Sequence, residues 1–152
     1  MSKIKKALIS VSNKKNLKTL LNTLNRFKIE IISSGGTFKE IKRLGFNCTE
    51  VSNYTNSPEI LDGRVKTLHP KIYGGILNKR GNKKHLKNLK DHKIKNIDLV
   101  IVNFYPFDEV FESKLSHDKI IENIDIGGPT MVRAAAKNYF DVTVISSTKH
   151  YE

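Results

Sequence analysis

Short apolar runs and amphipathic stretches alternate along this chain. The run Ala7–Val11 has the continuous hydrophobic character of a strand buried in a parallel sheet. Leucines recur after it at positions 17, 20, 21 and 24, which is the spacing of a helix with one apolar face. Similar apolar runs predict four more strands. These are Ile29–Ser33, Asn47–Val51, Ile97–Val102 and Asp141–Ile145.

Helical patterns separate the predicted strands. Further helices are expected from Phe38 to Leu44, from about Lys83 to His92, from Ser116 or His117 through Ile121, and from Met131 to Asn138. Alternating strands and helices predict an α/β fold, with a parallel five-stranded sheet flanked by helices on both faces. No repeat or linker interrupts the pattern, so we expect one domain over residues 1–152.

Composition narrows the class of protein. Hydrophobic residues make up 38% of the chain and charged residues 28%, which is typical of a globular protein. No apolar run approaches the ~20 residues of a membrane helix, and the apolar stretch near the start is too short for a secretory signal. We therefore expect a cytoplasmic protein with no membrane partner.

The formal net charge is +12, and its densest run is Lys79–Lys87, which indicates an exposed basic helix. Basic proteins often bind nucleic acid, but no zinc-ligand spacing or aromatic RNA-binding signature accompanies these lysines. We expect no nucleic-acid partner. Cys48 is the only cysteine, which excludes an internal disulfide and a cysteine metal cluster. We expect it to be a small buried residue.

Candidate chemistry lies where the predicted strands end, because open α/β sheets bind ligands at the carboxyl ends of their strands. The segments there are Ser10–Lys14, Ser33–Thr37, Asn103–Tyr105 and the residues from Ser146 onward. The irregular stretch from Ser52 to about Asn78 is a further candidate, since long loops in compact domains are usually functional.

Two of these segments predict a pocket for a monophosphate. Ser34, Gly35, Gly36 and Thr37 follow a strand and open a helix, whose first N–H groups favour an anion. Ser10, Ser12 and Lys14 end the preceding strand and could face the same anion. Taken alone, each loop would also fit an ordinary strand–helix turn that binds no ligand. The P-loop pattern of nucleoside triphosphatases is absent.

Two polar blocks supply candidate catalytic groups. In residues 62–71, Arg64 and Lys66 could polarise a carbonyl group, although charge alone also fits a solvated loop. In residues 125–138, Asp125 offers a carboxylate at a helix start. Lys137 shares a helix face with Arg133, and packing beside Ala134–Ala136 would bury it and lower its pKa. The alternative is a lysine that reaches solvent.

Five segments resemble, in one register, the cyclohydrolase domain of the bifunctional family with 5-aminoimidazole-4-carboxamide ribonucleotide (AICAR) formyltransferase and inosine monophosphate (IMP) cyclohydrolase activities. They are Ala7–Ser12, Ser33–Thr37, Asp62–Pro70, Asn103–Phe107 and Asp125–Asn138. The resemblance implies a methylglyoxal-synthase-like fold. It also implies ring closure of 5-formamidoimidazole-4-carboxamide ribotide (FAICAR) to IMP, with no cofactor and no metal. Members form homodimers, and a transformylase domain normally follows.

The resemblance also assigns roles to individual residues. It implies that Lys137, Asp125, Lys66 and Tyr105 are catalytic. It implies that the substrate is bound by Ser10, Ser12, Lys14, Ser34, Gly35, Gly36, Thr37, Arg64, Thr67, Asn103, Ile126 and Gly127. These residues come from all five segments, so the fold must bring distant parts of the chain together.

Three other functions compete with this interpretation. A methylglyoxal synthase would share the fold and a phosphorylated substrate, but would not call for the Arg64–Pro70 block together with Asn103–Pro106. A regulatory module that binds a nucleotide would not need Lys66, Asp125 and Lys137 together. A nucleic-acid-binding domain is suggested only by charge, and its binding would weaken steeply with salt.

Overall fold

The computed structural model describes residues 3–104 and 107–151. Its centre is an all-parallel sheet with strand order β3-β2-β1-β4-β5. The strands are β1 (Lys6–Val11), β2 (Glu30–Ser33), β3 (Thr49–Glu50), β4 (Leu99–Asn103) and β5 (Thr143–Ile145). The helices are α1 (Leu17–Arg26), α2 (Gly35–Arg43), α3 (Val51–Thr55), α4 (Pro70–Leu77), α5 (Lys83–Asp91), α6 (Phe107–Phe111), α7 (His117–Glu122) and α8 (Gly127–Lys137). Short 3₁₀ turns occupy Leu61–Gly63 and Thr148–His150.

Strand β1 lies in the middle of the sheet and is buried on both faces. Ala7 pairs with Ile31 on β2 and with Leu99 on β4. Ala7, Leu8 and Ile9 have no exposed surface. A central parallel strand covered on both sides needs this continuous apolar sequence. The predicted five-stranded parallel sheet is therefore confirmed.

Alternate residues of β1 feed two separate apolar cores. Ala7 and Ile9 pack with the leucines of α1 on one face of the sheet. Leu8 packs on the other face with residues of α4 and α8, among them Ile76 and Met131. Side chains of successive strand residues point to opposite faces, so one short strand anchors helices on both sides. Within residues 3–104 and 107–151, no helix is long and apolar enough to cross a membrane.

Several predicted boundaries are wrong. The third strand is only Thr49–Glu50, because Val51 turns inward as the first residue of α3. Helix α2 starts at Gly35, earlier than the predicted Phe38. Helix α8 starts at Gly127, earlier than the predicted Met131. Helix α6 was not predicted at all.

The basic helix is exposed as predicted, whereas the single cysteine is less buried than predicted. Helix α5 has no buried residue, which confirms an exposed basic helix. Cys48 is half-buried against the α1 core rather than fully buried. Burial raises the pKa of its thiol to about 12, so the thiol stays protonated at neutral pH. A protonated thiol is a poor nucleophile, in line with the structural role predicted for Cys48.

Candidate active site

A pocket of about 680 Å³ opens at the carboxyl ends of β1 and β4, where ligands bind in open α/β sheets. Its walls are the loop after β1, the start of α2, the loop before α4, and the connection between α7 and α8. Most of the predicted site residues line it. They are Ser10, Ser12, Lys14, Ser34, Gly35, Gly36, Thr37, Arg64, Lys66, Thr67, Asn103, Asp125, Ile126 and Gly127. The fold thus brings all five sequence segments to one cavity.

Two predicted residues are not among them. Tyr105 lies outside the residues that the structure describes. Lys137 is described, but it is exposed and does not line the pocket. The expectation that packing beside Ala134–Ala136 buries Lys137 is therefore wrong. Met131, Ala134 and Ala135 form the buried face of α8, whereas Arg133 and Lys137 project from its exposed face.

The helix geometry explains why Lys137 and the pocket are separate within one chain. The pocket is at the amino end of α8, and Lys137 is the last residue of that helix. A rise of 1.5 Å per residue puts Gly127 and Lys137 about 15 Å apart along the axis. Lys137 therefore does not face the same space as Asp125 of its own chain.

The start of α2 is built to accept an anion. Gly35 has φ of +54°, a backbone conformation that residues with a Cβ rarely adopt. A Cβ there would also lie 3.2 Å from the ammonium nitrogen of Lys66, so the glycine lets Lys66 approach the helix end. Helix α2 has nine residues, and the Ser34 side chain makes no capping hydrogen bond. No carbonyl inside the helix accepts hydrogen bonds from its first N–H groups. These groups are therefore available to a ligand in the pocket.

Two of the predicted contact residues already hold the pocket walls together. The Thr37 hydroxyl donates to the Val11 carbonyl at 2.9 Å and accepts from the Val11 N–H at 3.1 Å. The Asn103 amide accepts from the Asn13 N–H and donates to the Asn13 carbonyl, both at 2.8 Å. Thr37 thus fixes α2 to β1, and Asn103 fixes the loop after β1 to the end of β4.

Carboxylates pair with both predicted cations of the loop before α4. Arg64 pairs with Glu122 at the end of α7, and the two side chains are 63% and 57% exposed. Hydrogen bonding to Glu122 raises the pKa of Arg64. The Lys66 ammonium lies 3.1 Å from a carboxylate oxygen of Glu59. Neither glutamate was predicted, since a lone glutamate in a polar stretch gives no signal in the sequence.

The start of α8 forms the opposite wall. Asp125 accepts a hydrogen bond of 2.9 Å from the Gly128 N–H. A Cβ on Gly128 would collide with the Asp125 carboxylate, and one on Gly127 would lie 2.7 Å from the Thr67 hydroxyl. The two glycines therefore allow Asp125 and Thr67 to approach the same helix end. The carboxylate faces the pocket at a fixed position.

Other residues at the pocket were not predicted. Glu122, Asn123, Ile124 and Met131 line it, because the segment joining α7 to α8 closes one side. Tyr73 of α4 does not line the pocket, but it is half-buried near Thr67 and Thr130, and this burial raises the pKa of its hydroxyl. Its apolar ring made it indistinguishable from a core residue in the sequence.

The arrangement suits a phosphorylated ligand with a polar body. Lys14, Lys66 and the start of α2 offer positive charge at one end, while Asp125 and Thr67 lie near the start of α8. Within the described ranges, no three His, Cys, Asp or Glu side chains come close enough to hold a metal ion. In the same ranges, the charged side chains that line the pocket are two lysines, one arginine and three carboxylates, namely Lys14, Lys66, Arg64, Asp62, Glu122 and Asp125.

Comparison with known proteins gives consistent results. Residues 16–130 match the model of the MGS-like domain. The chain is 53% identical over 148 residues to the bifunctional purine biosynthesis protein PurH of Clostridioides difficile, and 52% identical over 149 residues to that of Thermoanaerobacter sp.. Each alignment covers 97% of this chain but only 29% of the relative, so the chain spans about three tenths of their length. The crystal structure of ForH superposes with a TM-score of 0.84 at 31% identity, covering 98% of this chain and 76% of that one.

Proposed function

This chain belongs to the family of MGS-like domains, and on that premise we propose that its pocket closes the purine ring by converting FAICAR to IMP with loss of water. The supporting observation is that the five segments shared with cyclohydrolases, far apart in sequence, line one cavity at the carboxyl edge of the sheet. The PurH relatives are named for purine biosynthesis, which fits this reaction. We propose no transformylase activity for this stretch.

The proposed binding mode starts from the phosphate. The 5′-phosphate of the ribotide would sit at the start of α2, where backbone N–H groups meet Lys14. The imidazole and its two substituents would then extend past Lys66 toward Thr67 and Asp125. The substrate must displace Glu59 and Glu122 from the cations that they hold. Because the Arg64 pair is exposed, this displacement costs little.

The chemistry needs close approach and proton transfer. The carboxamide nitrogen attacks the formyl carbon, which forms the ring C–N bond. The C–O bond of the former formyl group breaks and its oxygen leaves as water with two protons, one released by the carboxamide nitrogen and one by the formamido nitrogen. Both reacting groups belong to one molecule, so holding them in contact supplies much of the rate. We assign Asp125 to accept a proton from nitrogen and Lys66 to deliver one to the departing oxygen.

Lys137 enters this scheme only through a second copy of the chain. It lies on an exposed helix face, remote from the pocket of its own chain. We propose that the protein works as a homodimer in which the partner subunit places a Lys137 beside Asp125, where its ammonium delivers the second proton that the departing oxygen needs. Tyr105, outside the described residues, is retained as a further candidate. As a purine-biosynthesis enzyme, the protein would act in the cytoplasm on small molecules.

Turnover of FAICAR by the purified chain tests the function. We expect IMP to form without added folate or nucleotide, followed by its ultraviolet absorbance. Lys66→Gln should lower kcat by ~10²–10⁴, the usual effect of losing a positioned acid or base. Lys83→Gln removes an exposed lysine of α5 and should leave kcat unchanged. Absence of IMP with the folded chain, or an unchanged kcat for Lys66→Gln, would contradict the proposal.

A further inference from the structure

A second pocket, of about 640 Å³, lies at the opposite edge of the sheet. It opens beside the amino ends of β1, β2 and β4, and α5 forms its outer wall. None of its residues lines the candidate active site. The reaction proposed above gives it no role. The pocket combines an apolar wall with a cationic rim, and different segments of the chain supply the two.

The apolar wall comes from a helix that contributes nothing to either core. Helix α5 is amphipathic, yet none of its residues is buried. Its Leu86 and Leu89 line the second pocket together with Ile94, and Leu86 is 45% exposed. An amphipathic helix normally buries its apolar stripe against the protein. Here the stripe borders an open cavity.

The cationic rim consists of Lys3, Lys5 and Lys95, all of which are exposed. In the part of the chain that the structure describes, no salt bridge involves these three lysines. Their charge is therefore available to a ligand, apart from a weak attraction between Lys95 and Glu30, whose pKa is lowered mainly by its hydrogen bond to Lys6 and only slightly by Lys95.

The carboxylates of this pocket are already neutralised by neighbours. Glu30 pairs with the buried Lys6 ammonium at 2.6 Å. Asp98 pairs with Arg80 and accepts the backbone N–H groups of Lys5 and Lys6 at 2.8 and 3.0 Å. Neither acid presents an uncompensated negative charge to the cavity, so the local balance favours an anion.

We propose that the second pocket binds a small organic anion, a phosphate or carboxylate joined to an apolar or aromatic body. The body would cover Leu86, Leu89 and Ile94, and the anionic group would meet Lys5 and Lys95 at the rim. An inorganic ion would use only the rim, and a neutral aromatic molecule would use only the wall. Burial of the apolar part and charge attraction together give the selectivity.

The test uses 1-naphthyl phosphate as a probe and ¹H–¹⁵N spectra of the chain as the readout. We expect saturable shifts of the amide signals of Leu86, Leu89, Lys95 and Asn96. Inorganic phosphate has only the anionic group and 1-naphthol has only the aromatic body, so each should bind at least about tenfold more weakly than the probe. Equal binding of inorganic phosphate, or shifts confined to the Lys14 pocket, would overturn the proposal.

Charge-reversal and wall variants give the matched comparison. Lys5→Glu with Lys95→Glu should weaken the probe at least about tenfold, which corresponds to 1.4 kcal/mol. Lys18→Glu with Lys83→Glu changes the net charge equally but touches neither pocket, and it should leave the affinity unchanged. Leu86→Asn should also weaken binding. Folding is confirmed from the dispersion of the same spectra. Equal affinity of the two charge-reversed proteins for the probe would contradict the proposal.

Discussion

Arg80 with Asp98 at the amino edge of the sheet and Arg64 with Glu122 at its carboxyl edge are both arginine–carboxylate pairs, but their surroundings differ. The Arg80 and Asp98 side chains are only 15% and 7% exposed. Those of Arg64 and Glu122 are 63% and 57% exposed. The first pair also bonds to the backbone, since Arg80 donates to the Ile97 carbonyl at 2.9 Å and Asp98 accepts from β1.

The difference in exposure indicates that the Arg80–Asp98 pair stabilises the fold, whereas the Arg64–Glu122 pair is available for ligand binding. A buried charge without its partner is very unfavourable, so the Arg80–Asp98 pair cannot open without cost to the fold. An exposed pair is worth ~0–1 kcal/mol and can exchange its partner for a ligand. The carboxyl edge therefore keeps its cations available for a substrate. At the amino edge only the rim lysines are available.

The largest expected effect concerns catalysis across a dimer. Lys137→Ala and Asp125→Asn should each lower kcat by ~10²–10⁴. If Lys137 acts in the pocket of a partner, mixing the two inactive proteins should restore up to about a quarter of wild-type turnover, since mixed dimers contain one intact site in two. Steady-state assays after subunit exchange measure this recovery. Lys137→Arg should not restore activity, because a guanidinium does not readily release its proton.

Controls for this experiment establish that any recovery comes from mixed dimers. Each variant mixed with itself must stay inactive. Lys137→Ala should bind IMP nearly as well as wild type, since Lys137 is remote from the phosphate end of the pocket. No recovery on mixing, with exchange shown by mass spectrometry, would mean that Lys137 does not act across the dimer.

A second prediction addresses the amino edge. Asp98→Ala should lower the free energy of unfolding by ~3–5 kcal/mol, because Arg80 is left buried without its partner. The Lys5 and Lys6 N–H groups lose their acceptor as well. Glu122→Ala at the carboxyl edge should leave the free energy of unfolding almost unchanged, because its pair with Arg64 is exposed. Urea unfolding followed by circular dichroism compares them, and equal losses would remove the distinction drawn between the two edges.

Thr37 and Lys14 sharpen the comparison within the active-site pocket. Thr37→Val should lower the free energy of unfolding by ~1–3 kcal/mol, because the Val11 N–H and carbonyl lose their buried partner. Lys14→Ala should raise KM with little change in stability, since among residues 3–104 and 107–151 its exposed ammonium donates only to the Ser12 carbonyl, at 3.3 Å. Unfolding curves and steady-state kinetics on both proteins test this. A destabilised Lys14→Ala with wild-type KM would exclude Lys14 from the phosphate site.

The sequence predicts the sheet and the pocket far better than it predicts the ion pairs. Apolar runs such as Ala7–Val11 mark parallel strands because such strands are covered on both faces. The carboxyl ends of those strands then locate the site without further information. Pairing partners such as Glu59 and Glu122 depend on how loops fold back, which leaves no periodic signal. The predicted burial of Lys137 was wrong because the alanines beside it do not all lie on the buried face of α8: Ala134 and Ala135 are buried, whereas Ala136 and Lys137 are exposed.

The smallest expected effect is also the most direct test of the exposed pair at the active site. Glu122 pairs with Arg64 at the pocket wall, and the proposed substrate would replace it. Glu122→Gln removes this competing charge, so KM should fall by at most about fivefold at low salt, the equivalent of ~1 kcal/mol. Salt should erase the difference by screening the pair. Glu112→Gln, an exposed glutamate outside the pocket lining, is the matched control and should leave KM unchanged. A rise in KM for Glu122→Gln alone would show instead that Glu122 positions Arg64 for the substrate, and the carboxylate would then belong to the binding machinery.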